Sequence, residues 1–315
     1  MNKSNSKIFE YHKDSYRGTE YLAKYFHTNI LKYMSNINKY RCIIMPGIFN
    51  HSSLLEDDRE LIIWSHNTLS QFDTDVLELF NNQIVLNKIK YFIVPSNYAK
   101  NEIIKESKID KEKIIVIYNG FHPVKNDINR FKKVDKVKII HTSHSGRGFE
   151  ILAKSLKYIK NDFRLNVYND IFPDINLVSN EYKKIYKDKR IFLYGPTPKK
   201  TLIDDLSKSH IFANPSIFRE TFCLSQVEAI SANCLPVYNN YGALDEVSFN
   251  SGITCNFSNL KTIEECAIDY AQKIDSAIDL IKDNNFDPKD NAEKVNDAFS
   301  FKNFVNSWIN LNNKL

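Results

Sequence analysis

The chain has 315 residues, of which 43% are hydrophobic and 26% charged, and a formal net charge of +5. That length accommodates two ordinary domains, and the balance of apolar to charged residues excludes a disordered or fibrous chain. No apolar run approaches the ~20 residues of a membrane span, and the opening MNKSNSKIFEYHKD lacks the apolar core of a secretory leader, so a cytoplasmic setting is expected, with peripheral contact at a membrane as the alternative.

Short β-branched runs alternate with helical patterns along the chain, the signature of parallel sheets covered by helices. The first half offers a strand at 7–9, an amphipathic helix over 18–34, and strands at 41–45 and 61–64. A helix over 73–88, a strand at 91–94, a helix over 97–107 and a strand at 114–117 follow. The run NGFHPVKNDINRFKKVDK (119–136) opens on an Asn-Gly turn and a proline and continues as a charged polar stretch, so it reads as a hinge. Beyond it, strands are expected at 137–141, 163–168, 190–194, 210–214 and 235–238, with helices over 147–160, 176–187, 198–208, 224–233 and 260–283. The expected architecture is α/β, two doubly wound Rossmann-like domains facing a cleft, because ligands of such sheets bind beyond the carboxyl ends of the strands. The expected domains are 1–128 and 129–298. The terminal helix 299–315, with Phe301, Phe304, Trp308 and Leu311 at helical spacing, packs either on its own domain or back on the first.

Five cysteines (Cys42, Cys223, Cys234, Cys255, Cys266) are scattered without a C-x-x-C pair, which fits packed thiols in a reducing compartment. Lysine clusters at 105–113, 131–138 and 182–190 are mixed with acidic residues and read as solvated faces; attraction to an anionic membrane or a phosphorylated acceptor is the alternative. The stripe Leu22, Tyr25, Phe26 and Ile30 in the first helix reads as core, with shallow membrane docking as the alternative. Asp73-Thr74-Asp75 imitates a metal-binding D-x-D but sits where a helix begins, where acidic residues are common. No metal and no cofactor are expected.

The most informative stretch is RETFCLSQVEAISANCLPV (219–237). Glu220 falls in a loop at the end of a strand, and Glu228 about one turn into the following helix. Between them the backbone N–H groups of Phe222, Cys223 and Leu224, next to Thr221, form a helix N-terminus that suits an anion. Two acceptors flanking an anion cradle suit a ligand with hydroxyls at both ends and phosphates between, such as a sugar nucleotide.

The Glu-x7-Glu block resembles the signature of retaining glycosyltransferases of family 4, which have the two-domain GT-B architecture. Weaker matches stand in the family's order: YRGTEYLAKYF (16–26), WSHN (64–67), 94–120, HTSHSGRGFEILAKSL (141–156), 191–216 and YGALDEV (241–247). Cys223 and Cys234 occupy positions where glycine is common, and the basic loop offers Arg147 where arginine and lysine often both occur. The resemblance implies that Glu228 grips the donor ribose and that Glu220 faces the transferred sugar. It also implies that Arg147 binds the diphosphate and that His66 and Gly18 lie on the acceptor side. By chemistry alone, His66 could relay the acceptor proton, Arg147 could fork two phosphates, and Gly18 could admit close backbone approach. Ordinary structural roles are the alternative for each.

The implied activity is transfer of a sugar, with retention, from a nucleotide-diphosphate donor to a hydroxyl on a glycan, lipid-linked or protein acceptor, in glycan or polysaccharide biosynthesis. The alternatives are a sugar-nucleotide epimerase or phosphorylase of the same fold, or a non-catalytic sugar-nucleotide-binding subunit. Nucleic acid is not an expected partner, since the basic runs carry no recognition motif.

Overall fold

The computed structural model describes residues 18–45, 58–125, 128–132, 134–144, 146–168, 185, 187–260 and 262–315. The expected strand at 7–9, residue Arg17 and nearly all of the expected helix over 176–187 lie outside the described residues. The chain divides into two compact units. The first is Met1–Phe121 with Phe299–Leu315, and the second is His122–Ala298. The division therefore falls earlier than 128/129. The segment expected to act as a hinge is partly folded onto the second unit: Ile128–Phe131 forms a 3-10 turn, Phe131 is buried, and the Arg130 guanidinium donates to the carbonyls of Ser209 and Ala232.

In the first unit, strands β1 (Arg41–Met45), β2 (Leu61–Ser65), β3 (Ile89–Val94) and β4 (Ile114–Val116) form a parallel sheet in the order β1-β2-β3-β4. Every residue of β2 is buried, as a parallel strand covered on both faces requires. The expected helix over 18–34 is α-helical only over Gly18–Tyr25, then passes through a π-turn at Phe26–Ile30 and a 3-10 turn at Leu31–Tyr33. The reason is local. The Thr28 hydroxyl and the Asn29 amide donate back to the carbonyls of Lys24 and Tyr25, a pattern that bends helices. The apolar stripe is core: Leu22, Phe26 and Ile30 are fully buried.

The expected helix over 73–88 is two helices, Thr74–Leu79 and Gln83–Lys88, because Asn82 caps the second by accepting from the Ile84 N–H at 2.9 Å. The terminal helix, Phe301–Asn312, belongs to the first unit. There Phe301 stacks on Tyr25 with centroids 3.6 Å apart, and Trp308 packs edge-on against Phe26 and Trp64.

The second unit holds β5 (Val137–Thr142), β6 (Phe163–Tyr168), β7 (Ile191–Tyr194), β8 (Ile211–Asn214), β9 (Leu235–Asn239) and β10 (Ile253–Cys255). All are parallel, in the order β10-β9-β8-β5-β6-β7. The winding reverses between neighbours β5 and β8. Helix Ile263–Lys282, opened by a Thr262–Glu265 capping box, packs on helix Phe149–Ser155 over one face of the sheet. Strand β10 and the helices Leu244–Val247 and Lys289–Ala298 were not expected from the sequence; the first two are too short to carry a period. Among the described residues, no helix is long and apolar enough to cross a membrane.

Candidate functional site

The crevice of an open parallel sheet lies where the strand order reverses, since connections on either side leave in opposite directions. Here that point is the carboxyl end of β5 and β8. Arg147 comes from the loop after β5, and Glu220 from the loop after β8. The Arg147 Nη1 donates to both Glu220 oxygens, at 2.9 and 3.2 Å, and the guanidinium lies over the Phe218 ring, 4.3 Å from its centroid. Burial pushes the Glu220 carboxyl up from its ordinary value, and Arg147 and Ser216 hold it back.

Two glycines make this approach feasible. Gly148 has φ +94°, and a Cβ there would stand 1.9 Å from the Pro215 carbonyl oxygen, so the two loops meet backbone to backbone. Gly242, at φ +78°, would place a Cβ 2.3 Å from the Glu220 carbonyl oxygen. That same oxygen accepts from the Ala243 N–H at 2.7 Å. A buried amide network fixes the rest of the loop. Asn239 donates to the Ser216 carbonyl at 2.8 Å, Asn214 to Gln226 at 2.7 Å, and Gln226 to the Ser248 hydroxyl at 2.5 Å.

Helix Leu224–Ser231 starts at the end of this loop. Its N-cap, Cys223, has φ 72° and makes no side-chain cap bond, and the Cys223 carbonyl accepts from the Gln226 N–H at 3.2 Å. A helix start without a side-chain cap is the kind of place that suits an anion. The left-handed φ explains why glycine suits position 223. At the other end of the helix, the left-handed residue is Asn233 (φ 65°), and Cys234 beside it is buried. Burial pushes the Cys223 thiol up to about 12, which makes it a poor nucleophile. Thr221 and Phe222 are buried and anchor the loop, while Leu224 is partly exposed. Glu228 lies in the same helix, its side chain 6% exposed, and its Oε2 accepts from the Lys199 ammonium at 2.5 Å. Lys199, on the helix after β7, is not among the residues expected from the sequence; a cation at a helix start, where the helix dipole disfavours it, is the local signal for it.

The structure thus gathers Arg147, Glu220, Thr221, Phe222, Cys223, Leu224 and Glu228 on neighbouring elements of the second unit. Gly18 and His66 belong to the first. Gly18 is exposed and begins a helix. His66 follows β2, lies 4.8 Å from the Trp64 ring, and is pushed down by burial to about 3, so its imidazole is neutral and weakly basic at neutral pH. Asp73 is the N-cap of Thr74–Leu79, with Asp75 in its first turn. Among the described residues, no group of three or more His, Cys, Asp or Glu is placed to hold a metal.

The sequence matches no protein-family model and no curated protein. Solved structures resemble it in fold. A glycosyltransferase from Rickettsia africae aligns with TM-score 0.68 and 20% identity, over 97% of this chain and 84% of that one. HepE from Anabaena, in complex with UDP and glucose, aligns with TM-score 0.69 and 17% identity, over 90% and 81%. Sucrose-phosphate synthase from Thermosynechococcus elongatus aligns with TM-score 0.68 and 15% identity, over 94% and 78%. Two parallel-sheet α/β domains with these neighbours define the two-domain, Rossmann-like GT-B fold.

Proposed function

We propose that this chain is a glycosyltransferase, similar to family 4, that moves a sugar with retention from a nucleotide-diphosphate donor to a hydroxyl acceptor. It needs neither metal nor cofactor, and it serves glycan or polysaccharide synthesis. The observation that carries this reading is the Arg147–Glu220 pair at the β5/β8 reversal, next to an uncapped helix start and a buried Glu228. A donor diphosphate competes with Glu220 for the Arg147 guanidinium. Two phosphate oxygens match its fork, and a charged hydrogen bond of this kind contributes about 1.5–3 kcal/mol. The N–H groups of Phe222, Cys223 and Leu224 take a share of the leaving group's growing charge. Glu228 accepts from the ribose, and Glu220, released from Arg147, faces the transferred sugar and favours positive charge at the anomeric carbon. On the acceptor side, Gly18 admits close approach, and His66 serves as a neutral hydrogen-bonding group.

Because HepE holds UDP, UDP-sugars are the first donors to try, with GDP- and ADP-sugars beside them in a thermal-shift panel. Arg147→Ala and Glu228→Ala are each expected to weaken nucleotide binding by about 10–100-fold in calorimetry. Unchanged affinity in both variants removes this site assignment. Proton NMR of the transfer product tests retention, since an inverted anomeric centre contradicts it.

A further inference from the structure

We infer that Lys199 is a positioning residue that holds Glu228 ready for a ribose diol, and that this pair makes the site selective for ribonucleotides over 2′-deoxyribonucleotides. The inference rests on the nucleotide-sugar reading above.

Lys199 is the first residue of helix Lys199–Leu206, whose first turn has no acidic residue and whose N-cap, Pro198, makes no side-chain cap bond. A cation there works against the helix dipole, so its own helix gives it no reason to sit where it does. Its partner supplies one. Glu228 lies in a buried stretch, with Val227, Ala229 and Ile230 at 0–1% exposure, and a carboxylate in such surroundings demands a compensating charge. Among the described residues, Lys199 is the one partner of that carboxylate, and it holds only Oε2. The Lys199 side chain is half exposed while that of Glu228 is 6% exposed. The ammonium is thus the more exposed member of the pair.

A carboxylate has about four acceptor directions. With one taken by Lys199, the rest suffice for two neighbouring hydroxyls, and the side chain no longer turns freely to lose one of them. Loss of the 2′-hydroxyl then leaves a buried charged acceptor short of a donor, and a site of this kind rejects the analogue.

The test is calorimetry with UDP, GDP and ADP, followed by the best-bound of these against its 2′-deoxy counterpart. The wild-type chain is expected to favour the ribonucleotide by about tenfold or more. Lys199→Met, which keeps the aliphatic stem, is expected to reduce that preference to about threefold or less while leaving the 2′-deoxynucleotide affinity nearly unchanged; Lys199→Arg restores most of the preference. A merely structural lysine would instead lower both affinities together, following the loss in thermal stability, and that result overturns the inference. Glu228→Gln separates the two readings. If it abolishes the preference and Lys199→Met does not, the role of Lys199 falls and the nucleotide site stands. If the wild-type chain binds none of the three nucleotides, the nucleotide reading fails and takes this inference with it.

Discussion

In the first unit the described strands follow chain order, β1-β2-β3-β4, and the groups around the end of β2 include Trp64 and a neutral, buried His66. In the second unit the order reverses between β5 and β8, and the residues beyond those strands include Arg147, Glu220 and Glu228. Both sheets are parallel, and in both a central strand is buried along its whole length, as β2 and β8 are, so burial does not account for the difference. Strand order differs: where it reverses, as between β5 and β8, the connections after the two strands part and a crevice lies beyond their carboxyl ends. The first unit spends its aromatic residues on packing, with Phe26, Trp64, Phe304 and Trp308 in mutual contact. The second places Gly148 and Gly242 where its loops meet.

Breaking the first unit's aromatic cluster tests whether nucleotide binding is confined to the second. Trp308→Ala is expected to cost about 3–5 kcal/mol of stability in denaturant unfolding while the surviving folded protein keeps its nucleotide affinity. An affinity that falls along with stability breaks the comparison. Gly148→Ala reverses the design. The added Cβ meets the Pro215 carbonyl oxygen at 1.9 Å from a φ of +94°, so a loss of about 3 kcal/mol is expected. Nucleotide affinity is expected to fall more than about tenfold, because 1.4 kcal/mol of misplacement suffices for that. Near-normal binding would show that the two loops need not touch.

Acid sharpens the contrast between the units. Burial pushes His141 and His210 in the second unit down to about 4, and His66 in the first to about 3. The folded chain keeps all three neutral while the unfolded chain protonates near 6.5, so unfolding takes up protons. Their contribution is fully present above pH 6.5 and is lost as pH falls through the folded values. Each buried histidine contributes a slope of about 1.4 kcal/mol per pH unit within that window. The second unit, with two such groups, is expected to lose stability more steeply between pH 6.5 and 4. Unfolding monitored separately in each unit checks this, and equal slopes would contradict it. The smallest effect belongs to Asp73 and Asp75. Both are exposed at a helix start, so Asp75→Asn is expected to change stability by less than about 0.5 kcal/mol. Donor binding, with or without EDTA, is expected to stay the same; a loss of binding in the variant would revive the D-x-D reading.

The strands were legible from β-branched runs because a buried parallel strand is an almost unbroken apolar segment; β2, LIIWS, shows this plainly. The Glu-x7-Glu spacing was legible because a loop and the helix after it are contiguous in sequence. Other features depend on residues far apart in the chain. Glu228 meets Lys199 from another helix, Gly242 locks Glu220 through the backbone, and Asn239 braces Ser216. No local periodicity encodes such pairings. Helices break off from the expected spans where side chains compete for backbone groups, as Thr28, Asn29 and Asn82 do.

The most direct measurement is a crystal structure of the chain with UDP, or with whichever nucleoside diphosphate binds best. The expected result is phosphates at the start of helix Leu224–Ser231, the Arg147 guanidinium transferred from Glu220 to those phosphates, and the ribose hydroxyls on Glu228. Nucleotide bound elsewhere, with Arg147 still paired to Glu220, would contradict it.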